Sequence, residues 1–491
     1  MMNTALVIPV RLFGRWEGFL HSWGCFRFFL LALFLCSPAV VYADWGPDVR
    51  LTYNASFSML CSNNARAIAV DSLGGIHVVW YDFSDNDRGE IYYKRSTDWG
   101  NSWGPDVRLT LDTALSWWPA VDADKLGRVH VGWSDRRNGP FWEAYYKRST
   151  DRGVSWGPDV RLSDQTQKMY FDAIGSDNLG WVHVVGSSYL GVPFGHQLWY
   201  RRSRDGGVTW DPWVLLRDSL YGADPSSMAI GSGQDIHIVS DQLHYLRSTD
   251  GGTTWSRDTA LANTLLPYIY IPCVSVDREN RVHIVWFDQR GGGDSPELFY
   301  KRSTDGGSTW EPDFKLTHSD SGESDNQPVI AGDSTGIVHV LYEVSTHGTF
   351  YKQSTDEGLT WAPPYHLLAS GLAPHVVVDS RENAHVVYVD VPPGGSSGEI
   401  YYKQWMSSQG VEEYAVTSPN SRFPFSVRPN PFTSFASLPG HEAERFALYD
   451  ISGRKAGVFK GDRIGSGLSA GVYFLRPQEG NAKPVRVVKI R

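Results

Sequence analysis

The stretch from Lys301 to Trp310, KRSTDGGSTW, recurs in close copies. These are Lys94 to Trp103 (KRSTDWGNSW), Lys147 to Trp156 (KRSTDRGVSW), Arg201 to Trp210 (RRSRDGGVTW), Leu246 to Trp255 (LRSTDGGTTW) and Lys352 to Trp361 (KQSTDEGLTW). Their aspartates, Asp98, Asp151, Asp205, Asp250, Asp305 and Asp356, lie roughly 45 to 55 residues apart, a period that signals an array of one supersecondary unit. Each copy follows an alternating aromatic run (IYYK, AYYK, LWYR, LFYK) and precedes a short apolar run such as VRLT, so it reads as a hairpin connection. The aspartate can accept bonds from backbone N–H groups two or three residues on, and the glycine two positions later can take a positive φ. The closing tryptophan supplies an apolar plate to pin the turn against the sheet.

Between one such turn and the next come VRLT, a form of AIAVD and a form of IHVVWYD before the aromatic run returns. Four strands joined by short connections describe a propeller blade. The second and third runs are linked by tight turns beginning at Asp71, Asp124, Asp177, Asp277, Asp333 and Asp379, while the fourth unit departs from the rule with Gly231 and Gln234. Counting these middle hairpins gives seven units against six copies of the turn. The chain after residue 44 opens with WGPDVRLT, the piece that elsewhere follows a turn, so the strand Val49 to Thr52 is expected beside Ile400 to Lys403, closing the last blade and removing an open sheet edge. The expectation is an all-β, seven-bladed β-propeller of four-stranded blades over 44–405, with a small C-terminal β-sandwich.

The S/T-x-D-x-G-x-x-W pattern resembles the Asp-box, or BNR repeat, of the sialidase superfamily. In that family the Asp-box is a structural turn on the face away from the active site, so the resemblance implies a propeller and assigns no chemistry to Asp98, Asp151, Asp205, Asp250, Asp305 or Asp356. Six blades is usual in sialidases; xyloglucan hydrolases and photosystem assembly factors with Asp-boxes have seven. The balance of 45 basic against 54 acidic residues, with no basic block long enough to track phosphates, argues against nucleic acid as a partner.

Near the N-terminus, basic residues to Arg27 lead into FFLLALFLC (Phe28 to Cys36) and then Val41-Tyr42-Ala43, which reads as a signal peptide over 1–43 cut after Ala43. Leu35 is too bulky to precede a lipidated Cys36. The two remaining cysteines, Cys61 and Cys273, fall in distant repeats and read as buried thiols. A Ser/Pro/Asn-containing linker is expected over 406–423. Beyond it, in 424–491, SVRPNPF, FALYDISGRK, GLSAGVYFLR and VRVVKIR alternate strands with turn residues. In order and content these motifs closely resemble the type IX secretion (Por) sorting domain of Bacteroidetes-like Gram-negative bacteria. That resemblance implies engagement with type IX secretion machinery, passage across the outer membrane, and release or attachment at the cell surface. The propeller is expected to be monomeric.

A histidine holds the same strand position in every unit: His77, His130, His183, His237, His283, His339 and His385. Sites spaced one per blade cannot converge on a single ion, so no metal site is assigned. Recurring carboxylates fall to the same subtraction: Asp82, Asp135, Asp288 and Asp390, with Glu90, Glu143, Glu297 and Glu399, read as ties for the loop bases together with Arg137 and Arg290. Acidic loops at Asp85-Asn86-Asp87 and Asp320 to Asp325 are the candidates for calcium, but match no EF-hand spacing; no other cofactor is expected. Strand alternation gathers the remaining loops on the face opposite the Asp-boxes, where a propeller of this kind keeps its site. Aromatic pairs there, Trp117 with Trp118, Phe141 with Trp142 and Tyr170 with Phe171, suit the C–H faces of sugar rings. A retaining sialidase would need three arginines, a Tyr/Glu nucleophile pair and an acid/base aspartate. The F/Y-R-I-P motif of that family is absent and no Tyr/Glu pair is assignable. Catalysis is left with Arg66, Asp135, Arg137, Asp288 and Arg290. The favoured reading is non-catalytic recognition of a glycan or surface polymer, the alternatives a glycoside hydrolase such as an exo-α-sialidase and a protein-interaction scaffold.

Overall fold

The computed structural model describes residues 45–406, except 55, 62–65, 85–87, 164–167, 190–195, 220–225, 263–268, 291–295, 318–324, 345–346, 393 and 396, and further along 433–438, 445–450, 454–469, 471–477 and 485–489. The expected signal peptide, the linker beyond Met406 and the SVRPNPF segment lie outside the described residues. Secondary structure among the described residues is all strand apart from a 3₁₀ turn at Asp241–Leu243.

Seven antiparallel sheets form the blades of a propeller. In blade 2, as the type case, Ser116–Ala123 is the innermost strand, followed outward by Val129–Asp135, Glu143–Ser149 and Val160–Arg161. In blade 1 the inner edge is split: Ile68–Val70 and Ser58–Met59 pair with different parts of Ile76–Asp82. The second strands are buried throughout, as in IHVVWYD of Ile76–Asp82, because each blade is covered on both faces by its neighbours; this is why they read as unbroken apolar runs rather than as alternation.

The ring closes as the repeat arithmetic requires. Val49 pairs with Tyr402 and Arg50 with Tyr401, so blade 7 takes its outermost strand from the beginning of the propeller and its other three, Leu372–Val378, Ala384–Asp390 and Glu399–Trp405, from the end. Thr52 Oγ1 donates to Glu399 Oε2 at 2.5 Å and Arg50 holds Oε1 at 2.9 Å, repeating what Thr110 and Arg108 do for Glu90 within blade 1.

The recurring S/T-x-D-x-G-x-x-W turn is self-contained. In blade 5 Ser303 Oγ donates to Asp305 Oδ1 and receives the N–H of Gly307, while Thr309, four residues beyond the aspartate, gives Asp305 both its N–H and its hydroxyl, at 2.8 and 2.6 Å. The Ser308 N–H, three residues on, also bonds Asp305 Oδ1 at 3.0 Å, so the aspartate has the expected reach and extends it by one residue. Gly307 has φ 86°, the left-handed conformation that favours glycine. Donation first from the Thr309 hydroxyl and then from its N–H holds the Asp305 carboxyl down at about 2.

The box tryptophans pin something other than their own sheet. Trp156 meets Tyr93 of the preceding blade edge-on at 4.9 Å, and Trp210–Tyr146, Trp255–Tyr200, Trp310–Tyr245, Trp361–Tyr300 and Trp103–Tyr402 repeat the contact. Each of those tyrosine hydroxyls lies 2.6 or 2.7 Å from Nδ1 of the recurring histidine in its own blade. In five blades the other nitrogen, Nε2, faces the hairpin aspartate: Asp71, Asp124, Asp177, Asp277 or Asp379. One neutral tautomer, with the proton on Nε2, satisfies both partners. The histidine ring is thus an inter-strand strut linked to an inter-blade rivet. Blade 7 has no box to rivet blade 6, and Trp45, from the N-terminal strand, packs edge-on against Tyr351 at 5.1 Å in its place.

Blade 4 is the shortest. Its 3₁₀ turn replaces the loop between second and third strands, so Tyr245 follows His237 by 8 residues where Tyr93 follows His77 by 16. Cys61 and Cys273 are both buried, and neither is in a disulfide. Beyond the propeller, Lys455–Lys460, Arg445–Asp450, Gly471–Pro477 and Val485–Lys489 form one antiparallel sheet in that order. Ala436, Leu438 and Ile464 pack with Phe446, Leu448 and Leu475 to make its core.

Candidate functional site

The face opposite the recurring aspartate turns carries the loops that differ from blade to blade, and the inner strands reach it through a bulge. In blades 2, 5, 6 and 7 the register with the second strand slips at Trp117/Ala120, Tyr270/Cys273, Asn326/Val329 and Leu372/His375. At each slip a residue of positive φ precedes a proline: Trp118 (55°), Ile271 (50°), Gln327 (46°) and Ala373 (48°) precede Pro119, Pro272, Pro328 and Pro374. Proline has no N–H to lose from the ladder, which suits a bulge. A pre-proline residue ordinarily favours extended backbone, so the surrounding packing must impose the turn.

In blade 2 this bulge builds a surface. Adjacent residues of a regular strand face opposite ways, but the left-handed Trp118 brings its ring within 5.6 Å of Trp117. Trp142 then lies 4.9 Å from Trp118 and 5.6 Å from Trp117, and Tyr170 of blade 3 completes the group at 5.7 Å from Trp118 and 6.2 Å from Trp142. Tyr81 and Phe83 of blade 1 extend it past Trp117. All four central rings are half-buried, and Trp117 is fixed by donating its indole N–H to the Arg88 carbonyl at 2.7 Å. Phe141 is exposed and carries the Lys168 ammonium 4.2 Å above its ring. Phe171 is different: it is fully buried against Gly132, where a side chain larger than hydrogen would meet its ring, and it presents no face to solvent. Of the six aromatics singled out in the sequence, four gather into one platform, Phe141 flanks it, and Phe171 is core.

The carboxylates and arginines left to catalysis do not gather. Asp135 is fully buried at the end of a blade 2 strand, accepting from Ser116, from the Trp133 indole at 2.8 Å and from Arg137. Arg137 also pairs with Asp112 and Asp159 and lies 4.4 Å over the Tyr145 ring. Asp288 and Arg290 repeat the arrangement in blade 5 with Trp286, Asp313 and Phe299. Each is a tie within its own blade, three blades from its counterpart.

Arg66 does reach the hub. It is half-buried, its side chain makes no hydrogen bond or ion pair among the described residues while its carbonyl accepts from the Val121 N–H at 2.8 Å, and it lines two neighbouring cavities of the axial channel. One, of roughly 190 Å³, lies toward the hairpins beside Val70, Asp122 and Val378; the other, of about 20 Å³, is bounded by Ser227, Cys273 and His375. His375 donates from Nε2 to the Cys61 carbonyl at 2.8 Å, and burial lowers it to about 4, so it is neutral at physiological pH. Asp172, on the strand that carries Tyr170, accepts from Ser187 Oγ at 3.0 Å and from the Ser226 N–H, and burial pushes its carboxyl up to about 7.

Asp172 and His375 escaped the sequence reading, which discarded what every blade shares. The complementary signal was available: at the position of Pro119, Pro272, Pro328 and Pro374 the other three blades place Arg66, Asp172 and Ser226. The candidate calcium loop 85–87 and most of 320–325 lie outside the described residues. Among the described residues no group of three or more His, Cys, Asp or Glu side chains is placed to hold a metal ion.

Comparison with solved structures supports the architecture. An ulvan lyase, representing a new family of polysaccharide lyase, aligns over 72% of this chain and 95% of its own, with a TM-score of 0.50 and 12% identity. A Hadza microbial sialidase aligns over 60% of this chain with a TM-score of 0.43 and 16% identity, and the match spans 66% of that enzyme, just under two thirds of its length. A NanB sialidase variant from Streptococcus pneumoniae aligns over 74% of this chain and 94% of its own, with a TM-score of 0.42 and 11% identity. At such identities the likeness is one of fold. No protein-family model matches the chain, and no curated protein is similar to it in sequence.

Proposed function

We propose that the mature protein is an extracellular or surface-held propeller that recognises a glycan or surface polymer without cleaving it, carried across the outer membrane by a type IX sorting domain at 424–491. The observation that carries this reading is the Trp117–Trp118–Trp142–Tyr170 platform, built across two blades by a strained bulge. Flat aromatic faces with polar edges stack on sugar C–H surfaces, and the pre-formed half-buried geometry keeps the ordering cost of binding low. The ulvan lyase of similar fold is bound to a GlcA(1-4)Rha3S saccharide. Trp142→Ala in the mature chain should abolish retention on a glycan array while thermal unfolding stays cooperative; unchanged retention rejects this surface.

A second reading, glycoside cleavage, has one observation in its favour: Asp172, two residues beyond Tyr170, is a carboxyl raised to about 7, the property a general acid needs at neutral pH. Turnover of a polysaccharide or sialoside panel that vanishes in Asp172→Asn would establish it. Without turnover in the parent protein the reading falls.

A further inference from the structure

Resting on the glycan reading, we infer that the ligand is an acidic polysaccharide, its sugar rings bearing carboxylate or sulfate oxyanions, and that Arg136 and Lys168 beside the aromatic platform receive those groups. Among the described residues both cations rest on aromatic faces, Arg136 also on a carbonyl, and neither is paired with a carboxylate. The Arg136 guanidinium lies 5.2 Å over the Trp142 ring and donates through Nε to the Pro140 carbonyl at 3.0 Å, with Nη2 bonded to the same oxygen; Nη1 has no partner among the described residues. The Lys168 ammonium sits 4.2 Å above Phe141 and has no other polar contact among the described residues. The neighbouring Arg137, by contrast, is neutralised by Asp112, Asp135 and Asp159.

The contrast with Arg137 and with the rest of the chain is what points to a ligand. Over the full sequence the net charge is −9, and the equivalent loop-base arginine of blade 5, Arg290, is matched to Asp288 and Asp313. A planar guanidinium fork with free N–H groups matches a carboxylate or sulfate ester. A cation already resting on an aromatic face keeps its position and loses little freedom when a second partner arrives. Arg136 precedes Phe141 and Trp142 on one loop, and Lys168 precedes Tyr170 by two residues. A saccharide lying on the platform therefore has a cation at hand from the blade 2 loop and another from the approach to blade 3.

Affinity electrophoresis of the full mature chain through gels containing polygalacturonate, carboxyl-reduced polygalacturonate, dextran sulfate or dextran tests this, with Arg136→Gln/Lys168→Gln and Trp142→Ala run alongside. The expected result is retention by an acidic polymer, about fivefold to tenfold weaker in the double variant, weakening further as salt is raised, and lost in Trp142→Ala. Retention by the uronate alone or by the sulfate alone supports the inference and names the oxyanion. Equal retention by the neutral polymers, unaffected by the double substitution, overturns the acidic ligand and leaves glycan recognition standing. Acidic retention that Trp142→Ala does not touch reduces the effect to diffuse charge attraction and also overturns it. No retention of the parent protein by any glycan overturns both readings.

Discussion

The two faces of this propeller are built under opposite rules. On the face of the S/T-x-D-x-G-x-x-W turns six of the seven blades repeat one device: a turn whose aspartate accepts from a residue four positions on, a tryptophan edge-on to the preceding tyrosine, and a histidine strut behind it. Where the repeat fails, in blade 7, another part of the chain supplies the missing piece, and Trp45 does for Tyr351 what Trp310 does for Tyr245. On the opposite face no two blades carry the same loop, and Arg66, Asp172 and Ser226 replace a proline used four times. Repetition here marks what the ring needs in order to close, and departure from repetition marks what it is free to use for something else.

Three experiments test that contrast. The largest effect should come from deleting residues 45–52. The fourth strand of blade 7 goes, the buried Glu399 loses Arg50 and Thr52, and Tyr351 loses Trp45. Stranding a buried charge costs about 3–5 kcal/mol before the opened sheet edges are counted, so calorimetry should show no cooperative transition. A sharp transition near that of the parent would mean that the ring does not depend on its closure.

The open face should respond the other way, because its unrepeated residues are a burden on stability. Asp172 stays protonated in the folded protein up to about 7, whereas in the unfolded chain it ionises near 4. A raised carboxyl makes stability fall as pH rises between those two values. Asp172→Asn, which keeps an acceptor for Ser187 and the Ser226 N–H, removes that fall. The variant should match the parent near pH 4 and exceed it at pH 8, by no more than about 4 kcal/mol. Urea unfolding at the two pH values decides it, and parallel profiles would show that Asp172 ionises without cost.

The smallest effect belongs to a single aspartate turn. Asp305 is depressed to about 2, so its contribution is present above pH 4 and lost as pH falls toward 2. Asp305→Ala should lower stability by about 1 kcal/mol or less, since the group is exposed and screened, and the difference should disappear in acid titrations below pH 2. A loss much larger than this would make one box a keystone rather than one of six equal rivets.

Much of the fold was legible because it is periodic. The spacing of the Asp-boxes, the supernumerary hairpin at Asp379 and the leading WGPDVRLT sufficed to expect seven blades and the pairing of Val49 with blade 7. Less of the site was legible. Trp117, Trp118, Trp142 and Tyr170 were visible as aromatics on the variable loops, but their assembly was not. Strand alternation places Trp117 and Trp118 back to back, and only the left-handed φ of Trp118 turns them together. By the same measure Tyr170 and Phe171 look alike in sequence, yet one joins the platform and the other fills the space above Gly132.

The module and its number follow from neighbouring residues alone, since a turn, a hairpin and an alternating aromatic strand are local instructions that each unit satisfies with its own residues. Which unlike residues meet is set by the assembled ring. Arg66 comes to the axis beside Cys273 and His375, and Trp142 comes to Trp118 and Tyr170, because the blades wrap around a common centre. The reason is geometric: hydrogen bonds within a turn span about four residues and are written into neighbouring letters, whereas the curvature that brings several blades to one axis arises from packing each sheet on the next, and no single repeat carries it.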